Sequence, residues 1–146
     1  YLSERVSVFD QSNSPTLGSS NATIEIVVFE DYNCPHCRSF DPEIKQLFTM
    51  FSNDIRLVFK FFPLDPLCNI HMPKERSSTS CVAAAAAYAA HLQGKYDEMH
   101  KALMTSNGNL DLQEVTDVAK KIGLDVKKFK KDKNQRIKPA QTQRRR

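Results

Sequence analysis

Two cysteines separated by two residues, in Cys34-Pro35-His36-Cys37, are the part of this sequence whose chemistry is easiest to read. Such a pair can supply half a zinc site or can shuttle between dithiol and disulfide, and its surroundings decide between the two. Here the apolar run Ile24 to Phe29 leads through Glu30, Asp31, Tyr32 and Asn33 into the pair, and a helical pattern follows it. A strand handing over to a helix at this point sets the first sulfur at a helix N-terminus. Unpaired N–H groups and the positive end of the helix dipole favour a thiolate there. Cys34 is therefore the expected nucleophile, and Cys37, one turn further in, is placed to resolve a mixed disulfide. Pro35 suits the first helical turn because its fixed φ fits and its missing N–H would have no partner. A protonated His36 would add positive charge beside the sulfur.

The elements that must position this pair follow from pattern. Ile24–Phe29 reads as a strand covered on both faces and central in its sheet. The helix after Cys34 carries Phe40, Ile44, Leu47, Phe48 and Phe51 at helical spacing, and Pro42 is expected to kink or break it. Asp54 to Phe62 is a second strand, ended by Pro63 and Pro66, so strand, helix and strand make a parallel crossover. Residues 4–10 read as a short first strand, and the turn-rich SNSPTLGSSN after it as an irregular connection. Beyond a polar connection, VAAAAAYAAHLQG is the strongest intrinsic helix former and closes on Gly94. Helices are also expected over Tyr96 to Met104, over Leu112 to Ile122 with Gly123 as its stop, and from Asp125 with Phe129 inward.

Length and composition bound the rest. At 146 residues, 40% hydrophobic and 26% charged, the chain can build a core of its own. No run of about 18 apolar residues exists to span a bilayer. Charge is unevenly distributed: from Lys120 onward twelve Lys or Arg face only Asp125 and Asp132, within a formal net charge of +4. The basic end could serve nucleic acid or an anionic membrane. IKPAQTQRRR has no aromatic interleaving and no apolar period, which favours a solvated helix face followed by a disordered basic tail at 133–146, and no nucleic-acid partner.

PTLGSSNATIEIVVFEDYNCPHC, followed by GKYDEMHKALM and LDLQEVTDVAKKIGLDVKKF, resembles the DsbA-type thiol-disulfide oxidoreductases over roughly residues 15–132. A weaker similarity is to the thioredoxin-like domains attached to bacterial vitamin K epoxide reductase homologues, which also carry a cysteine pair near Cys68 and Cys81. The resemblance implies an α/β fold: a thioredoxin-like βαβ portion over 1–66 with an inserted α-helical subdomain over 67–132. It further implies a C-terminal β-hairpin and a cis-proline loop against the Cys-x-x-Cys. No segment after Phe129 reads as that hairpin, and Pro139 lacks the context of that loop. Val28 stands where some members bury a carboxylate beneath the second cysteine, so proton transfer at Cys37 would need water or another group.

The activity implied is disulfide introduction into reduced or unfolded protein substrates, with Cys34 and Cys37 exchanging, His36 tuning and Pro35 shaping the turn. A reductase or isomerase of the same fold is the first alternative. A redox-silent or zinc-holding binding module lacking the substrate loop is the second. Gaps of 2, 30 and 12 residues between the four cysteines, with no second Cys-x-x-Cys, favour redox chemistry over zinc. Cys68 and Cys81 read either as a structural disulfide tethering a loop to the alanine-rich helix or as a relay pair exchanging with Cys34, the former being favoured. No cofactor or metal is implied. Cysteine usage hints at an oxidising compartment; the resemblance implies a periplasmic or otherwise extracytoplasmic location, with any signal peptide already removed, and a membrane redox partner. His71, His91 and His100 read as ordinary polar or part-buried residues and not ligands; Glu30 and Asp31 could tune the site electrostatically, although acids at a strand end are usually just solvated.

Overall fold

The computed structural model describes residues 13–73, 79–107 and 109–133. Among them, β1 (Thr16–Leu17), β2 (Ile24–Glu30) and β3 (Ile55–Phe61) form one sheet in the order β1-β3-β2. β2 and β3 are parallel, with Ile24 opposite Ile55 and Glu30 opposite Phe61, and α1 (Pro35–Met50) is the crossover between them. β1 runs antiparallel to β3, Thr16 beside Val58 and Leu17 beside Leu57. The sheet and its crossover make the α/β, thioredoxin-like architecture expected. The strand expected at residues 4–10 and the basic tail from residue 134, Pro139 included, lie outside the described residues.

Three local expectations need correction. β3, not β2, takes the centre of the described sheet: Ile55, Leu57, Val58 and Phe59 are buried, whereas Ile24 and Phe29 on β2 are exposed. An unbroken apolar run reports hydrophobicity and not the number of neighbours, so two such strands cannot be ranked by pattern alone. The second correction is β1, a strand inside the segment read as irregular. The third is α1, which continues through Pro42 without a break. Proline removes the one N–H that would bond the Arg38 carbonyl, and the turns around it hold: Lys45 Nζ donates to Asp41 Oδ2 at 2.8 Å and Thr49 Oγ1 to the Lys45 carbonyl at 2.9 Å. Of the apolar residues at helical spacing on α1, Ile44 is buried and Phe48 partly so, while Phe40, Leu47 and Phe51 remain exposed.

The remaining helices are α2 (Ser80–His91), α3 (Tyr96–Thr105), α4 (Leu112–Lys121) and α5 (Val126–Lys133). α2 is buried along Ala83–Ala87, Ala89 and Ala90, and it packs against α3, α4 and α5. Alanine allows this because its small side chain lets neighbouring helices approach and costs no rotamer entropy. Gly94 (φ +70°) and Gly123 (φ +78°) take the left-handed conformation that ends α2 and α4. Asp111 caps α4 by accepting from Glu114 N at 2.9 Å. On α5, Phe129 is fully buried while Lys127, Lys128, Lys130 and Lys131 face outward, so this part of the basic excess is a solvated helix face. A single hydrophobic cluster runs from Val28, Tyr32, Leu57 and Phe59 into Ala86, Met99, Leu103, Val115 and Phe129. No described helix is long and apolar enough to cross a membrane.

Candidate active site

Between the end of β2 at Glu30 and the start of α1 at Pro35 the chain turns over Asp31 to Cys34, and Asp31 holds that turn. Its carbonyl accepts from Cys34 N at 3.2 Å. One carboxylate oxygen accepts from Asn33 N at 2.6 Å and Ser80 Oγ at 2.9 Å, the other from Leu64 N at 2.5 Å. Asp31 is only 4% exposed. A carboxylate can sit inside a protein when its lone pairs are met in this way, and these donors come from the turn itself, the start of α2 and the loop after β3. Asn33 adds a second tie, its Nδ2 donating to Thr79 Oγ1 at 3.0 Å and Ser80 Oγ at 3.3 Å.

Cys34 is the N-cap residue of α1 (φ −80°, ψ 118°), and its carbonyl accepts from Arg38 N at 3.1 Å. An N-cap side chain lies beside the unpaired N–H groups of the first turn, a place usually given to a hydroxyl or carboxylate oxygen. Here a cysteine takes that position, its sulfur making no capping hydrogen bond. Pro35 is the first helical residue, as its missing N–H allows, and it is exposed together with His36, whose carbonyl accepts from Ser39 Oγ at 3.0 Å. Cys34 and Cys37 are half-buried and not bridged to each other. Burial pushes the Cys37 thiol up; a backbone hydrogen bond at Asp31 opposes the rise, while a hydrogen bond with Cys34 and the Asp31 charge add to it. Val28 lies buried on β2, so the carboxylate felt at Cys37 is that of Asp31, three residues further along.

Cys68 and Cys81 are joined by a disulfide, with Cα atoms 5.9 Å apart and a sequence separation of 13. The bond ties the loop after β3 to the first turn of α2, and Asp65 reinforces it by accepting from Cys81 N at 3.3 Å and Leu67 N at 3.0 Å. Ser80, which bonds Asp31, immediately precedes Cys81. The disulfide thus anchors the helix end that holds the Cys34 turn. It also occupies the two sulfurs a four-cysteine zinc site would require.

Residue patterns alone missed Arg38 and undervalued the burial of Glu30, Asp31 and His100. Arg38, next to Cys37, spans from α1 to α3, with Nε donating to the Tyr32 carbonyl and Nη1 to the Ser106 carbonyl, both at 2.5 Å. Glu30 and Asp31 are buried, not solvated. His100 is 2% exposed: its Nε2 lies 2.7 Å from Asp41 Oδ1, and its Nδ1 lies 3.2 Å from the Tyr32 hydroxyl, 3.0 Å from that of Tyr96 and 3.4 Å from Glu30 Oε1. Glu30 Oε1 also accepts from Tyr32 Oη at 3.0 Å and Tyr96 Oη at 2.8 Å. A signal for His100 existed, because Tyr96, Met99, His100 and Leu103 share the apolar face of one helix. None existed for Asp31, whose partners are distant in sequence.

A thioredoxin-like oxidoreductase from Silicibacter pomeroyi is similar in structure, with a TM-score of 0.73 and 34% identity over 90% of this chain and 69% of that one. The thiol-disulfide exchange protein α-DsbA2 from Wolbachia pipientis has a TM-score of 0.66 and 27% identity, covering 82% of this chain and 58% of its own. Among curated proteins, Na(+)/H(+) antiporter NhaA 1 of Salinispora arenicola is 31% identical over 121 residues, which are 83% of this chain and 17% of that protein. The chain spans about a sixth of the length of the curated relatives it matches. Residues 25–143 match the DSBA-like thioredoxin domain. With that match covering most of its length, the chain belongs to the family of DSBA-like thioredoxin domains.

Proposed function

We propose that this protein exchanges disulfides with reduced or unfolded protein substrates through Cys34 and Cys37, and that it acts as an oxidase. The observation that carries the reading is the placement of the pair: a half-exposed sulfur at the N-cap of α1, with a second one turn behind. In the oxidised protein a substrate thiolate attacks Cys34 Sγ, the Cys34–Cys37 bond breaks, and Cys37 leaves with the bonding pair. Burial, which raises the Cys37 thiol, favours protonation of that leaving sulfur at neutral pH and so slows its return onto the mixed disulfide. A second substrate thiol, losing its proton, attacks the substrate sulfur and expels Cys34. Two electrons have then passed from the substrate dithiol to the pair, and the substrate holds a new disulfide.

Pro35 shapes the exposed rim of the site, and His36 adds positive charge when protonated. The Cys68–Cys81 disulfide supports an extracytoplasmic location, where such bonds persist, and serves as a structural tether. Turnover in that setting requires a membrane redox partner to take the electrons. Two measurements test the reading. Cys34→Ser is expected to abolish exchange with a reduced model peptide, and Cys37→Ser, offered the same peptide in its disulfide form, to accumulate a mixed disulfide at Cys34 as the peptide's own disulfide opens. Equilibration of the 34/37 pair with glutathione then fixes direction: full reduction at low glutathione supports an oxidase, whereas a pair that glutathione scarcely reduces makes it a reductase.

A further inference from the structure

The exchange steps above use neither His100 nor its neighbours, yet these residues bring charges of alternating sign together inside the protein. His100 faces Glu30 and Tyr32 at the end of β2, Asp41 from α1, Tyr96 from its own helix and the uncharged ring of Phe59 from β3. Lys45 closes the series on the outer oxygen of Asp41, and His91 of α2 lies across the Tyr96 ring at 6.3 Å. Burial works against the imidazolium, but the hydrogen bonds to Asp41 and then Glu30 outweigh it and hold the His100 pKa above the ordinary histidine value. Burial likewise works against the Asp41 anion, and its bonds to His100 and Lys45 hold it below the usual carboxylate range.

Asp41 follows Cys37 by four residues and Cys34 by seven, so all three lie on one face of α1. Cys37 and Asp41 are about 6 Å apart along the helix axis. We propose that His100 is a positioning residue of the redox site: its positive charge, held against Asp41 on the cysteine face of α1, favours the reduced 34/37 pair until the imidazole deprotonates. A carboxylate one turn from the pair opposes a thiolate, and the imidazolium offsets it. Once the imidazole is neutral, Glu30 and Asp41 outweigh Lys45 by one charge, and the reduced form becomes less favourable. A residue of the helical region thereby reaches the redox helix without touching either sulfur. This inference rests on exchange at Cys34 and Cys37.

Coupling of this kind is reciprocal, so the thiolate must act back on the imidazole. The decisive measurement is the His100 ring titration by NMR in the parent protein, oxidised and reduced. The pKa is expected to be higher in the reduced form by roughly half to one pH unit, a three- to tenfold coupling. Identical titrations in the two forms overturn the proposal. His100→Gln, which retains an N–H for Asp41 but no charge, should make the pair roughly three- to tenfold harder for glutathione to reduce at pH 6. That gap should close as pH rises through the parent's His100 pKa; a gap that stays constant with pH marks a purely structural effect and also overturns it. A parent protein that does not exchange with glutathione at all defeats the exchange reading itself, and this proposal with it.

Discussion

At Asp31 one buried carboxylate meets donors from the turn, from Ser80 and from Leu64, the last two 49 and 33 positions away in sequence. Acids at a strand end are usually solvated, and no local pattern distinguishes this one, because its partners exist only once the loop after β3 and the start of α2 have folded over it. Asp31→Asn tests its role. The amide keeps one acceptor oxygen but turns an NH2 group toward N–H or O–H donors, leaving buried groups unmet at a cost of about 2–4 kcal/mol. Thermal melts should fall by roughly 5–15 °C. Burial, the larger cause of the raised Cys37 thiol, remains in the variant, but the contribution of the Asp31 charge does not, so alkylation of Cys37 should begin at lower pH. A variant as stable as the parent would show that the turn is held elsewhere. His100 contrasts with Asp31: its burial was readable from its place on the apolar face of α3, although its partners Asp41 and Glu30 were not.

Among elements, the β2–α1–β3 crossover and the four later helices were legible because each carries its own periodicity and stop, such as Gly94 after α2 and Gly123 after α4. Relations between elements were less legible. β1 has only two residues, too few to show a period, and the centre of the described sheet is decided by pairing that leaves no mark on a single strand. The α2 start illustrates the same point: Thr79 makes no side-chain cap, and the end of that helix is fixed instead by the Cys68–Cys81 bond, Asp65 and Asp31. Replacing both Cys68 and Cys81 by alanine should lower the unfolding free energy by up to about 3 kcal/mol in urea titrations, as expected for a closed loop of this length. Substrate oxidation by Cys34 should survive in the folded variant, slowed only as far as the Asn33 and Ser80 contacts loosen. Complete loss of oxidation with the fold intact would assign the pair to the relay role and not to tethering.

For the whole molecule, the question is which redox form the fold prefers, and this connects stability to direction of exchange. Reducing the 34/37 disulfide in the native protein and in the unfolded chain are two legs of one thermodynamic cycle, so any excess ease of reduction in the native state equals the stability gained by the reduced form. A tenfold excess corresponds to about 1.4 kcal/mol. In an oxidase the N-cap position of Cys34 and the cluster around His100 must together favour the reduced form, so breaking this disulfide stabilises the protein, the reverse of what a tethering bond does. Glutathione mixtures chosen to reduce the 34/37 pair while leaving the Cys68–Cys81 tether closed allow the two forms to be melted separately. If the pair is roughly a hundredfold easier to reduce than in the unfolded chain, the reduced form should be more stable by about 3 kcal/mol and melt roughly 5–10 °C higher. An oxidised form that melts higher would mean that the fold favours the disulfide, and the direction of exchange would then be reduction of substrates.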